Sequence, residues 1–152
     1  MSTRANVHVV SNGLSWKEGP IQLYHHYDGY PSNMLVLFAK AFESGNGSWE
    51  LGRAGKAAGF ICASDPGQFE PEVDNGALHG DIEYFYRITC KNSANGTMAE
   101  QPTWLIDVFT SHDAPQREQF WKDGNPKHLR LLIEGLSVSD CAARAEEVEA
   151  LG

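Results

Sequence analysis

Ile21-Gln22-Leu23-Tyr24-His25-His26-Tyr27-Asp28-Gly29-Tyr30-Pro31 changes its periodicity partway along, and that change sets the architecture. From Ile21 to Tyr27 the pattern has period two. Ile21, Leu23, His25 and Tyr27 share one face, and Gln22, Tyr24 and His26 share the other. This is a strand, and it turns its two histidines in opposite directions. Asp28-Gly29 supplies turn chemistry. Pro31 and Ser32 then open a helix. Met34, Leu35, Leu37, Phe38, Ala41 and Phe42 recur at helical spacing and form the stripe of a helix packed on a sheet. Gly45-Asn46-Gly47-Ser48 ends it.

Upstream, Asn6 to Val10 is a short β-branched run. Ser11-Asn12-Gly13 and Gly19-Pro20 follow, so an antiparallel pair with Ile21–Tyr27 is expected. Downstream, Leu51 to Ala63 reads as a second helix despite Gly52, Gly55 and Gly59. Ser64 to His79 is rich in Pro, Gly and carboxylates and reads as a long loop. Ile82 to Thr89 alternates as a strand, with Ile82, Tyr84, Tyr86 and Ile88 opposite Asp81, Glu83, Phe85 and Arg87. Thr103 to Phe109 is its partner. Gln116–Trp121 reads as a helical turn and Lys127–Glu134 as a short helix. Ser137 or Ser139 caps a last helix through Leu151. With only Val138, Ala142, Ala145, Val148 and Leu151 to bury, segment 138–151 is expected to dock weakly or to serve a partner. The expected class is therefore α+β, with an antiparallel sheet of about four strands and helices packed mainly on one face. Residues 1–152 form a single domain, a length that buries a real core.

No run of about 18 apolar residues occurs, so no membrane span is expected. The first residues lack an apolar segment of the secretory type, and the expected location is cytoplasmic. The net charge is −8, and the 12 basic residues are scattered. Nucleic-acid grooves draw their affinity from clustered Lys and Arg, so direct nucleic-acid binding is not expected. An acidic exterior serves solubility, suits a basic protein partner, or mimics nucleic acid. Cys62, Cys90 and Cys141 are far apart and form no C-x-x-C pair, which argues against a zinc site or a disulfide framework. Asn46-Gly47-Ser48 and Asn95-Gly96-Thr97 match the glycosylation pattern and read as turns.

Two clusters carry chemistry. In the first, His25 or His26 can act as base or donor with Asp28 orienting it, and Tyr30 stands alongside. The competing reading is structural: Asp28-Gly29 makes the turn, Tyr30 and Pro31 stack at the helix entry, and a histidine bonds backbone. The second cluster is His79-Gly80-Asp81-x-Glu83. If its strand lies beside Ile21–Tyr27, His79 and Asp81 approach His26 and Asp28. None of the usual metal-ligand spacings is present, so no metal is expected. Gly52-Arg53-Ala54-Gly55-Lys56-Ala57 fails as a phosphate loop, because Glu50 and Ala57 occupy its required glycine and hydroxyl positions. No cofactor and no catalytic set follow from these residues.

Three strings carry a resemblance: Ser2-Thr3-Arg4-Ala5-Asn6, His26-Tyr27-Asp28-Gly29-Tyr30-Pro31 and Gly80-Asp81-Ile82-Glu83-Tyr84-x-Tyr86. Together they resemble a group of small proteins carried by phages and other mobile elements, with S-T-R-x-N, H-x-D-G-Y-P and G-D-I-x-Y-x-Y strings. The resemblance covers about the first ninety residues and none of the segment after Gln101. It implies a mobile-element setting and no catalytic residue. Accessory proteins of such elements often counter host defence, as anti-CRISPR proteins do. The leading expectation is an inhibitor that binds a host protein complex without catalysis. Its candidate contacts are the acidic loop from Asp65 to Asp74, which holds Glu70 and Glu72, and the sheet face with Asp81 and Glu83. The alternative is a protein that binds or hydrolyses a nucleotide or another phosphorylated ligand through the Tyr24–Pro31 cluster, with His25, His26, Asp28 and Tyr30, together with His79 and Asp81, where Arg4 or Arg53 meets the charge. A homo-oligomeric assembly role is a third reading.

Overall fold

The computed structural model describes residues 3–12, 17–72, 81–91 and 103–152. Six strands form one mixed sheet: β1 (Ala5–Asn12), β2 (Lys17–His25), β3 (Phe69–Pro71), β4 (Tyr84–Cys90), β5 (Trp104–Thr110) and β6 (Arg130–Ser137). Their spatial order is β3-β2-β1-β4-β5-β6. The α+β class holds, while the expectation of about four antiparallel strands is corrected. β1 and β4 pair in parallel at the centre of the sheet, and every other pairing is antiparallel. β1 is thus flanked by its hairpin partner on one side and by a strand from much later in the chain on the other. Ala5 lies opposite His25 of β2 and opposite Tyr84 of β4.

The two extra strands fall where a loop and a helix were expected. Phe69–Pro71 pairs with the outer edge of β2 inside the acidic stretch. Lys127–Glu134 does not form a helix. Pro126–His128 makes a single tight turn, capped by the Asn125 side chain accepting from the Lys127 N–H at 3.0 Å. The chain then extends as β6 along β5. Gly135, at φ 71°, sits in a bulge of that strand, and its N–H donates to Asp107 Oδ1 at 2.9 Å.

Helices α1 (Pro31–Ser44), α2 (Trp49–Gly52) and α3 (Ala54–Ser64) follow β2, and α4 (Arg117–Asp123) follows β5. Two of them, α1 and α3, bury Met34, Leu35, Phe38, Ala57 and Ile61 against Val7, Val9, Leu23, Tyr86, Ile88, Ile106 and Val108. The expected second helix begins later than Leu51 because Arg53 is extended, and α2 before it is a single turn. Trp49, Glu50 and Gly52 have positive φ there. The turn is held by Trp49, which is fully buried, donates its indole N–H to Ala41 O at 3.0 Å and meets the Trp104 ring at 5.1 Å. On the opposite face of the sheet, α4 brings Phe120 onto Phe85, Phe109, Tyr24 and Ile82.

The C-terminal segment runs as a 3-10 helix, Val138–Arg144, into α5 (Ala145–Ala150). The 3-10 period puts Val138 and Cys141 on one side, and the α period continues that side through Ala145 and Val148. All four are buried in the main core. The Cys141 thiol donates to Leu35 O at 3.0 Å, and Glu149 accepts from the Ser32 N–H at 3.0 Å. Burial pushes that thiol up to about 12. Among the described residues no helix is long and apolar enough to cross a membrane.

Candidate functional site

The strand directions gather one set of ends. The start of β1, the end of β2, the start of β4, the end of β5 and the start of β6 share one edge of the sheet. The His25–Tyr30 and Asp81–Tyr84 segments therefore lie at the same end, separated by the lead into β1. Thr3 O accepts from the Gly29 N–H at 2.7 Å on one side, and Arg4 O accepts from the Glu83 N–H at 3.0 Å on the other.

Within the first segment the histidines diverge as the alternation requires. His25 is buried, packs on Phe69 at 4.5 Å and bonds Asp65 Oδ2 through Nε2 at 2.8 Å. His26 lies half-exposed beside Glu70, 3.3 Å from its carboxylate, with its ring edge-on to Tyr24. Asp28 adopts φ 52°, and its carbonyl accepts from the Asn33 amide at 2.8 Å. Its carboxylate faces the Tyr30 hydroxyl, and that negative charge is the main reason the phenol sits above its ordinary value. Gly29 has backbone on both sides. Its carbonyl accepts from the buried Tyr86 hydroxyl at 2.7 Å.

Within the second segment each carboxylate has a partner. Asp81 pairs with Arg4. Glu83 bonds His112 Nε2 at 3.1 Å. His112 follows β5, and its ring stands edge-on to Tyr84 at 5.3 Å. Glu72 is buried, and its N–H donates to Gln22 O at 2.8 Å. His79 and Asp74 lie outside the described residues, as does Ser2, the first residue of the S-T-R-x-N string. The structure thus brings His26, Asp28, Tyr30, Glu70, Asp81 and Glu83 to one end of the sheet, as separate pairs rather than around one pocket.

Two residues of this end escaped the sequence reading: His112 and Glu149. They are brought in by the end of β5 and by the C-terminal segment, and no local motif marks them. Burial raises the Tyr84 phenol, Glu149 and Glu83 add to it, and Arg130 opposes. Burial also holds Tyr86 well above the usual phenol range and raises Cys62. These groups stay protonated at neutral pH. They serve as hydrogen-bond donors and packing groups rather than as ready nucleophiles. Among the described residues no cluster of three or more His, Cys, Asp or Glu side chains is arranged to hold a metal ion.

A second polar row lies on the α4 side of β1. Asn6 is buried, and neither its amide oxygen nor its nitrogen has a hydrogen-bond partner. His8, two residues on, has an unpartnered Nε2 and lies edge-on to Phe85 at 4.5 Å. Desolvation, helped by Arg87, lowers its pKa to about 4. Asn6 belongs to the S-T-R-x-N string, but neither residue was read as a site, because period-two alternation in a short strand does not distinguish a wet face from a covered one. Set against known proteins, the chain matches no family model, no curated protein and no solved structure, so its own residues carry the functional reading.

Proposed function

We propose that the protein is an accessory protein of a mobile element that inhibits a host defence complex by binding it, in the manner of an anti-CRISPR protein. One observation carries this reading: the carboxylates at the sheet end remain open to a partner although neighbouring side chains hold them in place. Asp81 is 51% exposed beside Arg4, and Glu70 is 45% exposed beside His26. Carboxylates fixed in this way have less side-chain entropy to lose when a basic surface meets them. The net charge of −8 adds long-range attraction for such a surface. The upward shifts of Tyr30, Tyr84, Tyr86, Cys62 and Cys141 suit binding better than covalent chemistry. The resemblance of the three strings supplies the mobile-element setting.

The test is phage plating on bacteria with an active CRISPR system, with and without the protein. Expression raises plating efficiency, and the tagged protein retains the targeting complex in a salt-sensitive manner. The double variant Asp81→Lys, Glu70→Lys, folded by circular dichroism, loses both effects. Plating unchanged by the protein across several CRISPR types, or capture unaffected by charge reversal, overturns the proposal. The alternative of a nucleotide site at His25, His26 and Asp28 has less to draw on. His25 is closed off by Asp65 and Phe69, and Asp28 is engaged in the turn.

A further inference from the structure

We propose that the cleft between the Asp113–Gln116 loop and the Lys127–Arg130 segment binds a small molecule through a terminal phosphate group. The cleft has a volume of about 350 Å³, near the lower end of the range for small-molecule sites. Ala114 and Leu129 give it an apolar lining, and Lys127 and Arg130 add two cations.

Charge is unevenly placed in this acidic chain. Between residues 117 and 130, Arg117, Lys122, Lys127 and Arg130 outnumber the carboxylates Glu118 and Asp123, against the acidic balance of the whole chain. The nearby Asp123 is committed elsewhere. Its Oδ2 accepts from His128 Nε2 at 3.0 Å and from the Gln119 amide at 3.2 Å, and its Oδ1 accepts from the Asn125 N–H at 2.9 Å. That Asn125 bond is the main reason its carboxyl lies below the usual range. Asp113 is the one carboxylate lining the cleft, so Lys127 and Arg130 leave it net positive.

The cleft is also built rather than incidental. His128 Nδ1 meets Gln116 Oε1 at 3.1 Å, so one side chain from each lip fixes the gap. Arg130 is pinned through Nε to His112 O at 3.2 Å and through Nη1 to Leu151 O at 3.4 Å. Its Nη2 has no hydrogen bond among the described residues. The Lys127 ammonium has no ion-pair partner among them either. A pinned guanidinium and an ammonium without an ion-pair partner, lining one cleft with apolar side chains, suit a phosphate oxygen pair. A polyanion is disfavoured because the rest of the surface is acidic. The cleft borders the acidic sheet end through the Arg130 bond to His112 O, but none of the carboxylates of that end lines it, and the proposal stands without that reading.

Calorimetric titration of the full chain with inorganic phosphate, pyrophosphate and adenosine monophosphate tests it, with sodium chloride at matched ionic strength as the control. Saturable one-to-one binding of at least one phosphate probe is expected, weakened about ten-fold or more by Lys127→Gln, the scale of one charge-assisted bond. Arg130→Lys weakens it as well, and Lys56→Gln, on the distant helix α3, leaves it unchanged. Lys127 is exposed and its side chain bonds nothing among the described residues, so its variant keeps the fold even if the Arg130 variant does not. Response to inorganic phosphate identifies the phosphate group itself as sufficient, whereas response to adenosine monophosphate alone shows that the apolar lining is also used. Absence of saturable binding to all three probes, or equal affinity for wild type and Lys127→Gln, overturns the proposal. So does an equal loss with Lys56→Gln.

Discussion

Gly29 has no room for a side chain. A Cβ there would come within 2.8 Å of both Thr3 O and Ala5 Cβ. The first of these is backbone and cannot swing aside, so the glycine of the H-x-D-G-Y-P string is required by the close approach of two chain segments. Gly29→Ala is expected to lower stability by about 1–3 kcal/mol, read as a fall in the urea midpoint. Tyr86→Phe removes the hydroxyl that reaches the same residue and costs about 1 kcal/mol. His8 gives a pH signature at the same scale. Its ordinary value is 6.5, and the fold lowers it to about 4. Between those values the unfolded chain binds the proton and the folded chain does not, so stability falls as pH drops from 6.5 towards 4. The full loss is about 3–4 kcal/mol, from about 1.4 kcal/mol per unit across this window. Urea midpoints across this window should fall less steeply for His8→Phe than for wild type. Equal slopes would remove His8 as the cause.

At the scale of elements, β6 and the C-terminal segment are the instructive cases. Gly135 at φ 71° has open space where a Cβ would sit, so Gly135→Ala meets only backbone strain. A loss of about 1–2 kcal/mol is expected in the same urea measurement. Phe38→Ala empties the centre of α1 against Tyr86 and is expected to cost about 3–5 kcal/mol. The strands from Ile21 and Ile82, and the helix from Pro31, were legible because a buried face imposes its own period on the sequence. Lys127–Glu134 was not. Leu131, Leu132 and Ile133 form a continuous apolar run with no period, and the bulge at Gly135 breaks the alternation that would have shown a strand. Phe69–Pro71 is too short to carry any pattern. Cys141 belongs to no motif in the sequence, although it anchors the final segment to Leu35. The candidate site was legible in its composition, His26 to Tyr30 and Asp81 to Glu83, but not in its partners. His112 and Asp65 arrive through tertiary contacts that local sequence does not encode.

For the whole molecule, the sheet has a centre and two different edges. β1 and β4 are paired on both sides and line the main core, whereas β3 is a three-residue edge and β6 a bulged one. Native-state hydrogen exchange should therefore find the slowest amides in β1 and β4, and β3 should open at much lower free energy. Equal protection of β3 and β1 would contradict this arrangement. The pairing of β1 with β4 also bears on how the chain is made. Emerging from a ribosome, the first hairpin can form early but keeps one flank of β1 bare until the Tyr84–Cys90 segment has been synthesised. Completion of the protein is thus governed by a late, long-range closure, and the interval before it is when a nascent chain most needs shielding from its neighbours.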